Sequence, residues 1–348
     1  MNIEKLEAFL IQKDQPKFRL GQILRAVYQE GMAEFAEITS LPKNLRDELN
    51  EKLPILSFVA EKILEAKNGQ SAKALLKLAD GSHIETVLIS PKPEMWSVCV
   101  STQVGCPMGC RFCATGKLGL KRNLTAEEIV DQVLFWKQWL KKKFRNSELE
   151  IRNHDVSNIV YMGMGEPFLN WDNVSESLKI LIDKNLFGFG SRAISVSTSG
   201  VTEGIEKMAR EFPQVNLAIS LHFADDAKRS EFMPVNKKDN LESLRQALKK
   251  YFQITNRQVF LEYIMLAGIN DSAEDARKLA GYIRSIEKLQ LLHVNLIRYN
   301  VTSDELQPSS REKTEHFKNM LSEMGISATI RKSLGEEIQG ACGQLAGK

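Results

Sequence analysis

Six short apolar segments, each followed by a segment with helical periodicity, occupy the chain from about residue 95 onward. Apolar strands that alternate with amphipathic helices predict parallel strands covered by helices. Six units are fewer than the eight of a closed TIM barrel, so we predict an open, partial (β/α)6 barrel. A doubly wound sheet is the alternative. The predicted strands span residues 96–100, 158–162, 193–197, 216–221, 258–265 and 293–299.

The first 90 residues follow a different pattern. Residues 1–55 show the apolar periodicity of short helices, and residues 56–90 are rich in strand-forming residues. Asn68-Gly69 and Asp80-Gly81 are strong hairpin signals between apolar flanks. We therefore predict a small N-terminal α+β domain over residues 1–90 and a core domain over residues 91–348. Pro91 and Pro93 favour an extended linker between the two.

Composition excludes a membrane-spanning chain. Hydrophobic content is 43% and charged content 26%, which is ordinary for a soluble globular protein. No apolar run approaches the length of about 18 residues that a span requires. The start lacks the apolar core of a signal peptide, and five cysteines are an odd number for a disulfide framework. We expect a cytoplasmic protein, and a monomer because no exposed heptad pattern is present.

Three cysteines, Cys106, Cys110 and Cys113, lie within eight residues in a Cys-x3-Cys-x2-Cys spacing. A cubane 4Fe–4S cluster usually takes four cysteine ligands, so a local set of three leaves one iron open. S-adenosylmethionine can chelate such an iron through its amino and carboxylate groups. A zinc knuckle is the alternative, but zinc sites usually combine two pairs of ligands, and no second pair lies nearby.

Polar and glycine residues follow the predicted strands where each strand ends. Ligands of parallel α/β folds collect at the carboxyl ends of the strands, so these residues are expected to share one site. Gly163 and Gly165 permit close backbone approach, although Gly-x-Gly also fits a simple turn. His222 fits a structural histidine as well as a ligand contact. The further candidates at strand ends are Glu166, Ser197, Ser220 and Asn300.

Taken together, the motifs resemble the radical SAM adenosine methyltransferases of the RlmN/Cfr type. The resemblance extends over nearly the whole chain, including the N-terminal unit. Its most specific part is the combination of the cysteine triad with a C-terminal ACGQL. The motifs that carry it are CVSTQVGC at 99–106, CRFCATG at 110–116, GMGEP at 163–167, STSG at 197–200, SLH at 220–222 and ACGQL at 341–345.

This resemblance implies the cofactors and their ligands. Cys106, Cys110 and Cys113 would hold the 4Fe–4S cluster, and two molecules of S-adenosylmethionine would be used per turnover. An electron donor such as flavodoxin would supply the reducing equivalent. The residues implied to line S-adenosylmethionine are Gly165, Glu166, Ser197, Ser220, Leu221, His222 and Asn300.

The resemblance also implies roles for the two cysteines outside the triad. Cys342 would accept a methyl group, and Cys99 would later attack Cys342, releasing the product and leaving a transient disulfide. Glu85 would be the proton acceptor. Without the resemblance, Cys99 fits a small core residue and Glu85 a surface residue on a strand. Glycines beside Cys342 suggest a mobile loop that could carry a reactive thiol.

The implied substrate is an adenosine of 23S rRNA, methylated at carbon 2, and, as a further substrate, the adenosine 3′ of the anticodon in some tRNAs. The alternative is a C8-type enzyme that confers resistance to ribosomal antibiotics. Pro167 resembles the C2 type, whereas residues 297–300 are closer to the C8 type. A non-catalytic iron–sulfur RNA-binding factor is a third hypothesis, but it gives no reason for Cys99 and Cys342.

Chemistry on a base edge requires an unstacked base, which single-stranded or splayed RNA provides most easily. Lys117, Lys121 and Arg122 are candidate phosphate contacts. Basic residues predominate from 107 to 145, and such an excess near the triad could steer a polyanion. For Lys141–143 a solvated helix face is the alternative.

Overall fold

The computed structural model describes residues 1–92, 94–145 and 155–347. The helices are α1 (Ile3–Gln12), α2 (Phe18–Leu24), α3 (Lys43–Lys52), α4 (Ala126–Lys143), α5 (Trp171–Ile182), α6 (Thr202–Glu211), α7 (Asp226–Phe232), α8 (Leu241–Ile254), α9 (Ala273–Ser285) and α10 (Arg311–Glu323). The strands are β1 (Phe58–Glu65), β2 (Ser71–Leu78), β3 (His83–Lys92), β4 (Met95–Cys99), β5 (Gln103–Cys106), β6 (Gly119–Asn123), β7 (Val156–Tyr161), β8 (Ile194–Thr198), β9 (Asn216–Ser220), β10 (Val259–Met265), β11 (Leu292–Arg298) and β12 (Ala328–Arg331).

One ten-stranded sheet contains every strand except β5 and β6, which form a separate hairpin. Its order is β1-β2-β3-β4-β7-β8-β9-β10-β11-β12. The strands from β4 onward pair in parallel. They follow chain order without the reversal of a doubly wound sheet. The predicted α/β class is confirmed, and all six predicted strands are present; the short strand β12 is an addition.

The first three strands extend the sheet on the antiparallel side. β1, β2 and β3 pair through the two predicted hairpins, and β3 pairs with β4. Pro91 and Lys92 are therefore the end of a strand rather than a linker, and the linker prediction is wrong there. Pro93 lies outside the described residues. The division of the chain at residue 90 stays a prediction.

Helix α4 fixes the position of the first parallel strand. Thr125 and Glu128 form a capping box, which satisfies two amide groups of the first turn. The helix buries an apolar face against the sheet, and Trp136 is fully buried. The Trp136 indole donates to Thr86 Oγ1 at 3.2 Å, and Thr86 donates to the carbonyl of Cys99 at 2.8 Å. A polar bridge thus holds α4, β3 and the end of β4 together.

The basic end of α4 lies away from the carboxyl ends of the strands. A crossover helix runs opposite to the strands, so its last turn lies near their amino ends. Lys137 contacts Asp155, which directly precedes β7, and Lys143 contacts Glu65. Lys141–143 are exposed at this end of the helix, which agrees with the alternative of a solvated helix face. No helix within the described ranges is long and apolar enough to cross a membrane.

Candidate active site

Two neighbouring cavities lie at the carboxyl ends of the parallel strands. The cluster cavity, of about 170 Å³, is lined by most of the predicted cofactor residues. The thiol cavity, of about 400 Å³, is lined by Cys99 and Asn300. Cys113 and Cys342 line both cavities. The predicted site residues on the wall of the cluster cavity are Cys106, Cys110, Cys113, Gly165, Glu166, Ser197, Ser220, His222 and Cys342.

The three clustered cysteines belong to one cavity wall. Burial raises the pKa of the Cys106 thiol to about 12, and burial followed by the neighbouring Cys113 thiol raises that of Cys110. Bound cations deprotonate a coordinating thiol, so iron would supply the charge that these thiolates need. No three His, Cys, Asp or Glu side chains among the described residues surround a single ion. Three separate thiols on one wall fit a cubane cluster, in which each binds a different iron.

The glycines after β7 permit two strand-end loops to approach each other. Gly165 has a φ of +109°, and a Cβ there would lie 2.7 Å from Gln103 Cβ. A Cβ on Gly163 would lie 2.7 Å from the carbonyl oxygen of Val100. Both distances are shorter than real contacts of this kind. The close approach is thus to the segment that leads from β4 to the cysteine triad, while both glycines also line the cluster cavity.

Glu166 presents a fixed carboxyl group at the cluster cavity. Its backbone amide donates to Gln103 Oε1 at 2.8 Å. Its Oε2 accepts two hydrogen bonds of 2.7 Å from the amide and hydroxyl of Ser199, and its Oε1 accepts one of 3.1 Å from the Phe168 amide. Burial raises the pKa of this carboxyl, whereas the bonds from Ser199 lower it. A positioned carboxyl of this kind can accept from the amino group of an amino-acid ligand.

His222 is a neutral, positioned ring. Its backbone φ is +56°, and the Ile264 amide donates to its Nδ1 at 3.1 Å. The ring proton therefore resides on Nε2. Burial lowers the pKa of His222 to about 3. The Phe112 ring packs edge-on with a centroid distance of 4.9 Å, which places a neutral donor beside the cysteine triad.

Ser197 and Ser220 are half-buried at the cluster cavity, but Leu221 is different. The Leu221 side chain is fully buried in the main core and lies outside the cavity wall. Its carbonyl accepts a hydrogen bond from Arg229. Any contact of Leu221 with a cofactor would come from its backbone.

Cys99 and Cys342 both line the thiol cavity. Burial, and then the neighbouring Cys342 thiol, raise the pKa of Cys99 to about 12. All five cysteines are free, so the implied disulfide is not formed in this state. Asn300 donates to the carbonyl of Cys342 at 3.1 Å and accepts from Ser333 at 2.6 Å. Asn300 thus positions the cysteine loop and does not line the cluster cavity.

An ion pair between the cavities was not predicted. Arg331, at the end of β12, lies 3.5 Å from Glu262 Oε2, and both side chains line the cluster cavity. Glu262 Oε1 accepts from Asn295 at 2.9 Å. The charged residue within the apolar strand VFLEYIM was a usable sequence signal for Glu262. Arg331 gave none, because its strand was not predicted.

Glu85 is buried and holds the C-terminal segment, so its interpretation as a surface residue is wrong. It is 1% exposed, and its Oε1 lies 2.7 Å from the Lys73 ammonium. Its Oε2 accepts from the amides of Ala346 at 2.7 Å and Gly347 at 3.1 Å. Lys73 also donates to the carbonyl of Gln339 at 3.2 Å. This pair fastens both sides of the loop that carries Cys342.

The candidate phosphate contacts differ in whether their charge is already paired with a carboxylate. Arg122 forms ion pairs with Asp80 at 2.7 Å and Glu128 at 2.8 Å, so its charge is already compensated. Lys117 and Lys121 donate to neutral oxygens. The two lysines are therefore better placed than Arg122 to bind an additional anion.

Comparisons with known proteins agree with this geometry. Residues 100–280 match the Radical SAM superfamily, and residues 1–55 match the ribosomal RNA large subunit methyltransferase N-terminal domain. A radical SAM methyltransferase from Sphaerobacter thermophilus has the same fold, with a TM-score of 0.90 and 38% identity. The match covers 100% of this chain and 98% of that one. The fold and site thus define a radical SAM enzyme.

Two kinds of relative are similar over almost the full length. A probable dual-specificity RNA methyltransferase RlmN of Heliobacterium modesticaldum is 42% identical, covering 99% of this chain and 88% of the relative. A ribosomal RNA large subunit methyltransferase Cfr of Clostridium botulinum is 41% identical, covering 95% of this chain and 92% of the relative. The chain belongs to the RlmN/Cfr family of radical SAM RNA methyltransferases.

Proposed function

We propose that the protein methylates carbon 2 of an adenosine in 23S rRNA, and of the adenosine 3′ of the anticodon in some tRNAs. Cys342 is the methyl carrier and Cys99 the resolving thiol. The position of Cys342 carries this proposal, because it lines both the cluster cavity and the thiol cavity. A thiol with access to both can receive a methyl group on one side and deliver it on the other.

The chemistry explains why two thiols are needed. Carbon 2 of adenine lies between two ring nitrogens and is too electron-poor to attack a sulfonium methyl group. The cluster and S-adenosylmethionine, when bound, supply radical chemistry that the side chains lack. Cys342 holds the methyl carbon against the base. Cys99 then attacks the Cys342 sulfur and the sulfur–carbon bond breaks. The bonding electron pair passes to the transferred carbon, which takes up a proton to become the methyl group, and a disulfide remains for an external reductant.

Glu85 is the proposed acceptor of the proton that the adenine ring loses. In this structure both of its oxygens are engaged, by Lys73 and by the amides of Ala346 and Gly347. Proton transfer therefore requires the end of the C-terminal segment to move away from Glu85. Two molecules of S-adenosylmethionine per turnover, a flavodoxin-type donor, a monomer and a cytoplasmic location belong to the same proposal.

Methylation at carbon 8 is the second candidate. The RlmN and Cfr relatives are 42% and 41% identical, so overall similarity does not separate the two reactions. Pro167 favours carbon 2, because this proline follows GMGE as in the C2 type, whereas residues 297–300 favour carbon 8. The N-terminal match to a ribosomal RNA methyltransferase domain supports RNA as the substrate of either reaction.

Nucleoside mass spectrometry tests the proposal. The protein, reconstituted anaerobically with iron and sulfide, is given an unmodified 23S rRNA fragment, S-adenosylmethionine and a reductant. We expect 2-methyladenosine from the wild type and none from Cys342→Ala. A product of 8-methyladenosine would contradict the assigned position. Equal methylation by wild type and Cys342→Ala would contradict the carrier role.

A further inference from the structure

A fully buried guanidinium lies next to the cluster cavity. Arg229, in α7, is 0% exposed. Its four hydrogen-bond acceptors are all neutral oxygens, three carbonyls and one side-chain amide. They are the carbonyls of Ser199 at 2.6 Å, Leu221 at 3.2 Å and Asp239 at 3.3 Å, and Asn236 Oδ1 at 2.7 Å.

This buried cation has no anionic partner in contact. Among the described residues, no carboxylate lies within ion-pair distance of Arg229. The nearby carboxylates have other donors: Asp226 accepts from Asn236 and from the Leu241 amide, and Asp239 accepts from Thr202. An uncompensated buried charge costs several kcal/mol. A buried charge at this position is explained if an anion lies close to Arg229 in the active protein.

Helix α7, which carries Arg229, packs against the cysteine triad. Phe232 and Met233, about one turn after Arg229, belong to the hydrophobic cluster that contains Cys110 and Phe112. The Arg111 amide donates to the Phe232 carbonyl at 3.0 Å, so the triad loop and α7 are joined directly. The guanidinium lies directly behind the wall of the cluster cavity, because Arg229 donates to the Ser199 carbonyl and Ser199 lines that cavity.

We propose that Arg229 is the buried counter-charge of the iron–sulfur cluster and raises its reduction potential. The inference rests on the proposed binding of a cluster by Cys106, Cys110 and Cys113. Thiolates give such a cluster net negative charge, and one-electron reduction adds another. A fixed cation stabilises the reduced form more than the oxidised form. Net charge and hydrogen bonding around a cluster are known determinants of its potential.

Arg229 also joins the loops after β8 and β9 through the carbonyls of Ser199 and Leu221. Ser199 in turn holds the Glu166 carboxyl. Arg229 is therefore a positioning residue as well. Loop positioning alone does not predict a change in cluster potential when the charge is removed, so the two roles can be separated.

The test compares four proteins, each reconstituted anaerobically. Arg229→Gln removes the charge and keeps hydrogen-bonding capacity, whereas Arg229→Lys keeps the charge. Arg257→Gln is the matched control, because Arg257 also bonds to a neutral amide, Asn216, but at the amino ends of the strands. Iron and sulfide content is measured first. Midpoint potentials then follow from titration with redox dyes, with the reduced cluster detected by electron paramagnetic resonance.

For Arg229→Gln we expect at least a tenfold loss in the equilibrium constant for one-electron reduction, a shift of about 59 mV to more negative potential. Arg229→Lys and Arg257→Gln should remain close to wild type. Loss of cluster assembly in Arg229→Gln alone, with Arg229→Lys still loaded, also supports the role of charge. An unchanged potential in Arg229→Gln, or loss of the cluster in both Arg229 variants, would overturn the proposal that Arg229 is the counter-charge of the cluster. Absence of a cluster in the wild type would instead contradict the proposed function.

Discussion

At the scale of single residues, the candidate site is assembled from side chains with very few alternative positions. Glu166 accepts three hydrogen bonds, and His222 has one tautomer fixed by the Ile264 amide. A ligand that enters the cluster cavity therefore meets groups that need little reorganisation. Such preorganisation is what a site for a reactive intermediate requires, because loosely held groups permit side reactions.

Gly165 is predicted to be intolerant of any side chain. A Cβ would lie 2.7 Å from Gln103 Cβ at a φ of +109°. We expect Gly165→Ala to lower the free energy of unfolding by about 2–5 kcal/mol, from overpacking and backbone strain together. Urea unfolding measures this loss. Gly281→Ala is the control, because a Cβ there meets nothing within 4 Å; it should raise stability by up to about 1 kcal/mol. Equal effects would contradict the steric account.

His222 makes the stability of the metal-free protein depend on pH. Its folded pKa of about 3 lies below the ordinary value of 6.5, so the unfolded chain binds a proton first as pH falls. The stability that the neutral His222 contributes is fully present above pH 6.5. Between pH 6.5 and pH 3 the free energy of unfolding falls by about 1.4 kcal/mol per pH unit as this stability is lost. Asn tolerates a positive φ. We expect His222→Asn to show a smaller slope of unfolding free energy between pH 4 and 6.5 than wild type; identical slopes would refute the assignment.

At the scale of elements, the C-terminal segment 339–347 acts as a strap across the sheet. It is held at Gln339 by Lys73, at Cys342 by Asn300, at Leu345 by Thr115, and at its end by Glu85. No contact in this set comes from a neighbour in sequence. The strap takes no part in the pairing of the strands, so its release would break tertiary contacts only.

Glu85→Ala is predicted to loosen this strap. The substitution removes the acceptor of the Ala346 and Gly347 amides, and each lost bond costs about 1–3 kcal/mol. We expect hydrogen exchange in residues 341–347 to become about tenfold faster or more, a larger increase than in the amides of the strands. Glu61→Ala is the control, because Glu61 forms comparable ion pairs with Lys77 and His83 at an exposed position. Unchanged exchange at the strap would contradict this role.

At the scale of the whole molecule, the parallel core was predictable because each buried strand is apolar and is followed by an amphipathic helix. β12 escaped prediction because it has only four residues and none of them is fully buried, and Arg331 was missed with it. Glu85 was misplaced because its burial depends on amides 261 and 262 residues away. Long-range pairing of this kind leaves no periodicity in the local sequence.

The roles of the strand-end residues have a different origin. Their shared location followed from topology, since parallel strands bring their carboxyl ends together. The topology did not predict which of these residues would contact the cofactor. Leu221 is in the core and Asn300 holds the Cys342 loop, although both belong to motifs of the family. Backbone contacts depend on loop geometry, which residue type alone does not determine.

The most direct measurement of the central claim uses Cys99→Ala. The cluster-loaded variant is incubated with 23S rRNA fragment, S-adenosylmethionine and reductant, and the products are separated under denaturing conditions. If Cys342 carries the methyl carbon and Cys99 releases it, a covalent protein–RNA adduct should accumulate, and peptide mass spectrometry should locate it at Cys342. The double variant Cys99→Ala, Cys342→Ala should form none. Methylated adenosine released at the wild-type rate without an adduct would contradict the two-thiol mechanism.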